Sequence, residues 1–187
     1  MKPSEFLDIL SVAERLKCNT RHSWTSSGRH ESVAEHSWRL CLMALLLKDE
    51  FAELDMEKVI RMCIIHDLGE AFTGDIPAFY KTDADTQKED SALQKWVAEL
   101  PDPVNTEFAE LLAEMDAQKT QEAKLYKALD NLEAVIQHDE ADISTWIPLE
   151  YEFQFTYGKE RVQFSPYLQE LKKEIDKRTK EKIDSGK

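Results

Sequence analysis

At 187 residues the chain is long enough to bury a sizeable core, and its length fits a single domain. A formal net charge of −13 excludes a protein that grips the DNA or RNA backbone, which calls for Lys/Arg patches. One small phosphorylated ligand stays open to it, where a metal and a few local cations supply a positive field. The longest apolar run, Leu40 to Leu47, is far too short to span a bilayer, and Met1-Lys2-Pro3-Ser4-Glu5 does not read as a signal peptide, so a soluble cytoplasmic protein is expected.

The pattern is helical almost throughout, with five glycines and no alternating run long enough to suggest a sheet, so the expected fold class is all-α. A first helix is expected from Ser4, with Phe6, Leu7, Ile9, Leu10, Ala13 and Leu16 on its inner side. A polar loop, Asn19 to Glu31, follows. Ser32 and Glu35 then form a capping-box pair that opens a second helix and sets His36 in its first turn. A third helix runs from near Asp55 to His66. Ile76-Pro77 stops any helix after Asp75. A charged helix from about Thr82 ends before Pro101 and Pro103, a short one covers Val104 to Ala117, and Thr120 opens an amphipathic helix with Leu125, Leu129, Leu132 and Ile136 on one face. Ser165-Pro166 starts the last helix, a cap followed by proline at the first helical position. Cys18, Cys41 and Cys63 show no CxxC spacing, and Cys41 and Cys63 fall in apolar runs that predict buried free thiols.

The chemistry concentrates around His66-Asp67, which ends the apolar run Met62-Cys63-Ile64-Ile65. An imidazole and a carboxylate are costly at the end of a buried helix unless something compensates them, and a divalent cation that accepts nitrogen and oxygen together does so. Glu70 and Asp75 follow within one short segment, adding candidate proton-transfer groups to candidate ligands. If the helix continues, Glu70 faces the same way as His66, four residues earlier. His36 is a second imidazole, and Asp130 lies at the edge of an apolar helical face, where a boundary acid paired with Lys127 or Lys124 is the competing reading. A second His-Asp pair, His138-Asp139, runs into Glu140 and Asp142 and reads as surface. Trp146, Tyr151, Phe153, Phe155 and Tyr157 read as core packing.

The segments Glu31-Ser32-Val33-Ala34-Glu35-His36, Ile65-His66-Asp67-Leu68-Gly69-Glu70, Thr73-Gly74-Asp75-Ile76-Pro77 and Ala128-Leu129-Asp130-Asn131 together resemble the HD-domain phosphohydrolases, and within them the bacterial 5′-deoxynucleotidases and their eukaryotic relatives. The resemblance runs from about Lys17 to Ile136. It implies a compact helical HD domain over the whole chain and one divalent metal held by His36, His66, Asp67 and Asp130. It also matches Glu70 to a glutamate associated with proton transfer, Asp75 to an aspartate near the attacking water and the sugar, and Arg21 to an arginine on the substrate phosphate. The bacterial enzymes place a tryptophan directly after this arginine. Here His22 stands there and Trp24 follows, an Arg-x-x-Trp spacing closer to the eukaryotic relatives, so His22 and Trp24 are both candidate substrate contacts. A homodimer is part of the same implication.

The leading expectation is a metal-dependent 5′-nucleotidase that hydrolyses nucleoside 5′-monophosphates, deoxyribonucleotides foremost, to nucleoside and phosphate. Mixed His and carboxylate ligation suits Mn, Co, Mg, Ni, Fe or Zn. The competing readings are an HD hydrolase of another phosphate ester, a nucleoside triphosphate or an alarmone, and a non-catalytic metal-binding protein. Glu70 and Asp75 argue against the last, because a structural metal is closed by its ligands and needs no further acids beside an open position.

Overall fold

The structure is a computed structural model, and it describes residues 1–186. Its elements in chain order are helix α1 (Pro3–Cys18), strands β1 (Thr20–Trp24) and β2 (His30–Ser32), then α2 (Val33–Leu46), α3 (Met56–Ile65), α4 (Glu70–Thr73), α5 (Asp83–Ala98), α6 (Val104–Ala117), α7 (Gln121–Glu140), a 3₁₀ turn (Ile143–Thr145), α8 (Glu150–Thr156) and α9 (Pro166–Ser185). The architecture is helical, as the patterning predicts. No helix is long and apolar enough to cross a membrane among the described residues.

Helix α7 is the axis of the fold, packed against α2, α3, α6, α9 and β1. Its Leu125, Ala128, Leu129 and Leu132 are fully buried, but so are Glu133 and nearly so Asp130 and Asn131. The expected single apolar face is therefore too narrow. A helix covered on most sides buries polar groups as well, and those groups need partners. Cys63 is buried and Cys41 half-buried, and all three cysteines are free thiols.

Three local expectations are corrected. The polar segment after Cys18 is an antiparallel hairpin that pairs Thr20 with Ser32 and Trp24 with His30. Gly28, at φ +82°, lies in its turn, which Thr25 closes by donating its N–H to the Arg29 carbonyl at 2.8 Å. In α1, Phe6, Leu7 and Leu10 are 51%, 61% and 46% exposed, so only part of the expected inner side is covered, with Leu16 alone fully buried. Helix α8 has no counterpart in the sequence reading. It is seven residues long and begins on the buried acid Glu150.

Candidate active site

The site forms where α2, α7, the hairpin and the α3–α4 junction meet. The expected capping box fixes the start of α2: Ser32 N–H donates to Glu35 Oε2 at 2.9 Å and Glu35 N–H to Ser32 Oγ at 3.3 Å. His36, one turn in, is completely buried. After His66 the backbone stays helical but tightens to three-residue turns: Glu70 N–H donates to the Asp67 carbonyl at 3.0 Å and Ala71 N–H to Leu68 at 3.2 Å. His66, Asp67 and Glu70 thus sit on one nearly continuous helical stretch.

Three of the four residues expected to bind metal, His36, His66 and Asp67, bring ligand atoms within 4.8 Å of one another, and Asp130 lies against the two histidines. His36 Nε2 lies 3.2 Å from His66 Nε2, 3.1 Å from Asp130 Oδ1 and 3.7 Å from Asp67 Oδ2. His66 Nε2 lies 2.9 Å from Asp67 Oδ2 and 3.7 Å from Asp130 Oδ1. A cation bonded to nitrogen and oxygen at about 2.0–2.2 Å holds its ligand atoms at separations of about this size. The other ring nitrogens are engaged. His66 Nδ1 faces the Cys63 carbonyl at 2.9 Å, and His36 Nδ1 faces the Glu133 carboxylate. In the neutral rings each Nδ1–H donates there, so each Nε2 then carries a lone pair, and the two lone pairs face one another. Only a cation or a proton between them relieves that arrangement. The electrostatics agree: burial and Arg21 push His36 toward its neutral form, but Glu133 and Asp130 outweigh them and lift its pKa to about 9. The donor set fits a divalent metal.

Asp130 serves both sequence readings. Its Oδ2 accepts from Lys127 Nζ at 2.8 Å while Oδ1 faces the histidines. Burial works against its charge, but Lys127, His36 and His66 hold it well below the usual carboxylate range. Glu133 was missed in the sequence. Completely buried, it takes His36 on one oxygen and Arg39 Nε on the other at 2.6 Å. Its signal was its place three residues past Asp130, on the same side of α7.

Glu70 is 5% exposed, and its Oε2 has no hydrogen-bond partner. Burial, then the charges of Asp67 and Asp75, push its pKa up to about 10, so it holds a proton at neutral pH. Burial also raises Asp75 against the pull of Arg21. Arg21, on β1, stays a cation despite burial because Glu133, Asp67, Glu31 and Asp75 surround it. Its Nη1 is 4.0 Å from Asp67 Oδ2 and its Nε 3.5 Å from Glu31 Oε2, and Nε makes no hydrogen bond. Glu31, also unforeseen, is lifted to about 7 by burial and by Glu133.

Arg21 and Asp75 line a half-open cleft, with Phe79, Phe153 and Tyr157 among its walls. His22 lines it too. Trp24 does not: it packs on His30 with ring centroids 4.0 Å apart. The expectation for His138-Asp139 fails. His138 lines the cleft with its side chain 15% exposed, and Asp139 accepts a hydrogen bond from Thr179 Oγ1 at 2.9 Å and is raised by burial to about 6. Helices α8 and α9 cover the end of α7, which no local pattern in α7 announces. Of the C-terminal aromatics, Trp146 is buried as expected, Tyr151 is 39% exposed, and Phe153 and Tyr157 are cleft walls.

Comparison with known proteins places this geometry. The family model described as HD domain matches residues 13–172. The human 5′-deoxynucleotidase HDDC2 is 32% identical over 72% of this chain and 67% of its own length. The Dictyostelium discoideum protein of the same name is 30% identical over 83% of this chain and 90% of its own. A crystal structure from Magnetospirillum magnetotacticum, described as a predicted metal-dependent phosphohydrolase, superposes with a TM-score of 0.79 at 24% identity, covering 94% of this chain and 91% of that one, and shares its fold.

Proposed function

The chain belongs to the HD domain family, and we propose that it is a metal-dependent 5′-nucleotidase that releases inorganic phosphate from (deoxy)ribonucleoside 5′-monophosphates. The observation that carries the reading is the convergence of the His36, His66, Asp67 and Asp130 ligand atoms beside a protonated Glu70 and the cationic Arg21. The names borne by the human and Dictyostelium relatives support the substrate class.

These four residues would hold one divalent cation. When bound, it would supply Lewis-acid charge for the phosphate and lower the pKa of a coordinated water. The chain does the rest. Arg21 presents a planar fork of donors with an unengaged Nε to a phosphate oxygen. Glu70, whose pKa burial raises, is suited to hold a proton and deliver it to the leaving 5′-oxygen as the ester bond breaks. Asp75, lining the cleft that Arg21 shares, is positioned to orient water or sugar. Glu133 and the Cys63 carbonyl fix the tautomers of His36 and His66. A single cytoplasmic HD domain and a homodimer complete the proposal. The dimer rests on exposed apolar side chains of α1 and α2, Phe6, Leu7, Trp38 and Leu45, and light scattering of the purified protein tests it.

The test of function is phosphate release from a panel of nucleoside mono- and triphosphates with manganese, cobalt, magnesium or chelator. Release from deoxynucleoside 5′-monophosphates that depends on metal is the expected result. Activity confined to triphosphates would overturn the substrate class. Silence on every ester with metal bound would make the protein a non-catalytic metal binder.

A further inference from the structure

The cleft contains a polar pair for which hydrolysis of the phosphate ester has no use. Glu150, at the start of α8, is 1% exposed. Its Oε2 accepts the Ile147 N–H at 2.7 Å, but Oε1 has no hydrogen bond. His22 Nε2 lies 3.0 Å from that oxygen without hydrogen-bond alignment and has no partner either. His138 Nε2 is 3.5 Å away, and burial holds its pKa below the ordinary value. A buried carboxylate oxygen whose neighbouring imidazoles are near but make no aligned hydrogen bond to it is costly unless a ligand supplies a donor. All three residues line the cleft that Arg21 and Asp75 share, and Phe79 and Phe153 give it flat apolar wall.

We propose that Glu150 and His22 read the nucleobase: Glu150 Oε1 accepts an N–H from the base edge, and His22 Nε2 donates to the acceptor beside it. This rests on the nucleotidase reading of the site. It also commits to a specificity. The Watson–Crick edge of each of the four common bases sets a donor next to an acceptor: the amine and ring nitrogen of adenine and cytosine, the ring N–H and carbonyl of guanine and thymine. The pair therefore accepts every common base, and it selects against a sugar phosphate without a base or a base without an edge donor. A buried site built to hydrogen-bond a donor rejects the analogue lacking it far more strongly than an apolar pocket rejects a missing methylene.

The experiment compares kcat/KM of the metal-loaded protein for 2′-deoxyadenosine 5′-monophosphate and for its analogue with hydrogen in place of the 6-amino group, which removes the donor without adding bulk. Wild type should prefer the amino compound by about ten- to a hundredfold. Glu150→Ala should lose that preference by slowing on the amino compound alone. Because Glu150 also holds the Ile147 N–H, Glu150→Gln serves as a near-isosteric second variant whose carbonyl can keep that bond, and it should lose the preference too. Equal kcat/KM for the two nucleotides in wild type overturns the inference, as does a preference that survives in both variants. Turnover of neither nucleotide by wild type overturns the nucleotidase reading instead.

Discussion

Glu70 and Glu133 are both buried glutamates, yet their surroundings set them to different tasks. Glu133 is ionised: burial opposes its charge, but His36, Arg21 and Arg39 hold its pKa below the ordinary value. Glu133→Gln should keep the fold yet weaken divalent-metal affinity by about 10- to 100-fold, the usual cost of removing a partner that orients a histidine ligand; titration with manganese or cobalt measures it. Glu70 is raised in pKa by burial and stands outside the ligand set. Glu70→Gln should lower kcat by about 10²–10⁴-fold with metal content near that of wild type, whereas Asp67→Ala should lose the metal. Equal metal loss in both would place Glu70 in the ligand shell. The pH dependence adds a second readout. A carboxyl whose pKa is raised from 4.5 when unfolded to about 10 when folded favours folding fully below pH 4.5, and its contribution is lost progressively as pH rises toward 10. Metal-free Glu70→Gln should therefore match wild type in urea at pH 4 and exceed its stability at pH 8, by on the order of 2 kcal/mol.

At the scale of elements, what was legible depended on whether the signal was local. The capping box at Ser32 and Glu35, the cap at Ser165, the proline at the start of α9 and the helix starts at Thr82 and Thr120 are set within three or four residues, and each appears where the sequence put it. The hairpin was not legible, because its strands are short and half polar and are held by α2 and α7 rather than by alternation. Helix α8 and the burial of His138 depend on packing between segments far apart in the chain, as does the pairing of Glu133 with His36 across 97 positions. The His66–Glu70 spacing was legible, but the reason for Gly69 between them was not. A Cβ on Gly69 would stand 2.7 Å from Glu89 Cγ, so α5 packs directly on the α3–α4 junction. Gly69→Ala should push Glu89 away, strain its ion pair with Lys81 at 2.7 Å and cost about 1–3 kcal/mol. In a chain of this size that lowers Tm by roughly 2–4 °C per kcal/mol, readable by circular dichroism. An unchanged Tm would mean that α5 does not constrain the motif.

For the molecule as a whole, the site concentrates the imbalance that the net charge of −13 announces. Asp67, Asp75, Glu31, Glu133 and Asp130 crowd one region, where Arg21, Arg39 and Lys127 supply only part of the opposing charge. Burial opposes the charge of every one of these acids, so a bound divalent cation that compensates them should act on global stability and not on catalysis alone. An ion that binds the folded chain and not the unfolded one stabilises by about 2.7 kcal/mol at a concentration 100 times its Kd. Spread over a domain of this length, that raises Tm by roughly 5–11 °C. Adding manganese or cobalt to chelator-treated protein should produce a rise of that order in a thermal melt, and Asp67→Ala should abolish it. Against its burial, His66 and His36 hold Asp67 ionised well below the usual carboxylate range, so the metal-free Asp67→Ala variant should melt below metal-free wild type while failing to respond to the ion. A metal-free variant that melts at or above metal-free wild type would show that burial and the neighbouring acids outweigh the histidines at Asp67. A wild type whose Tm does not move with metal would show that the four ligand atoms converge without binding it.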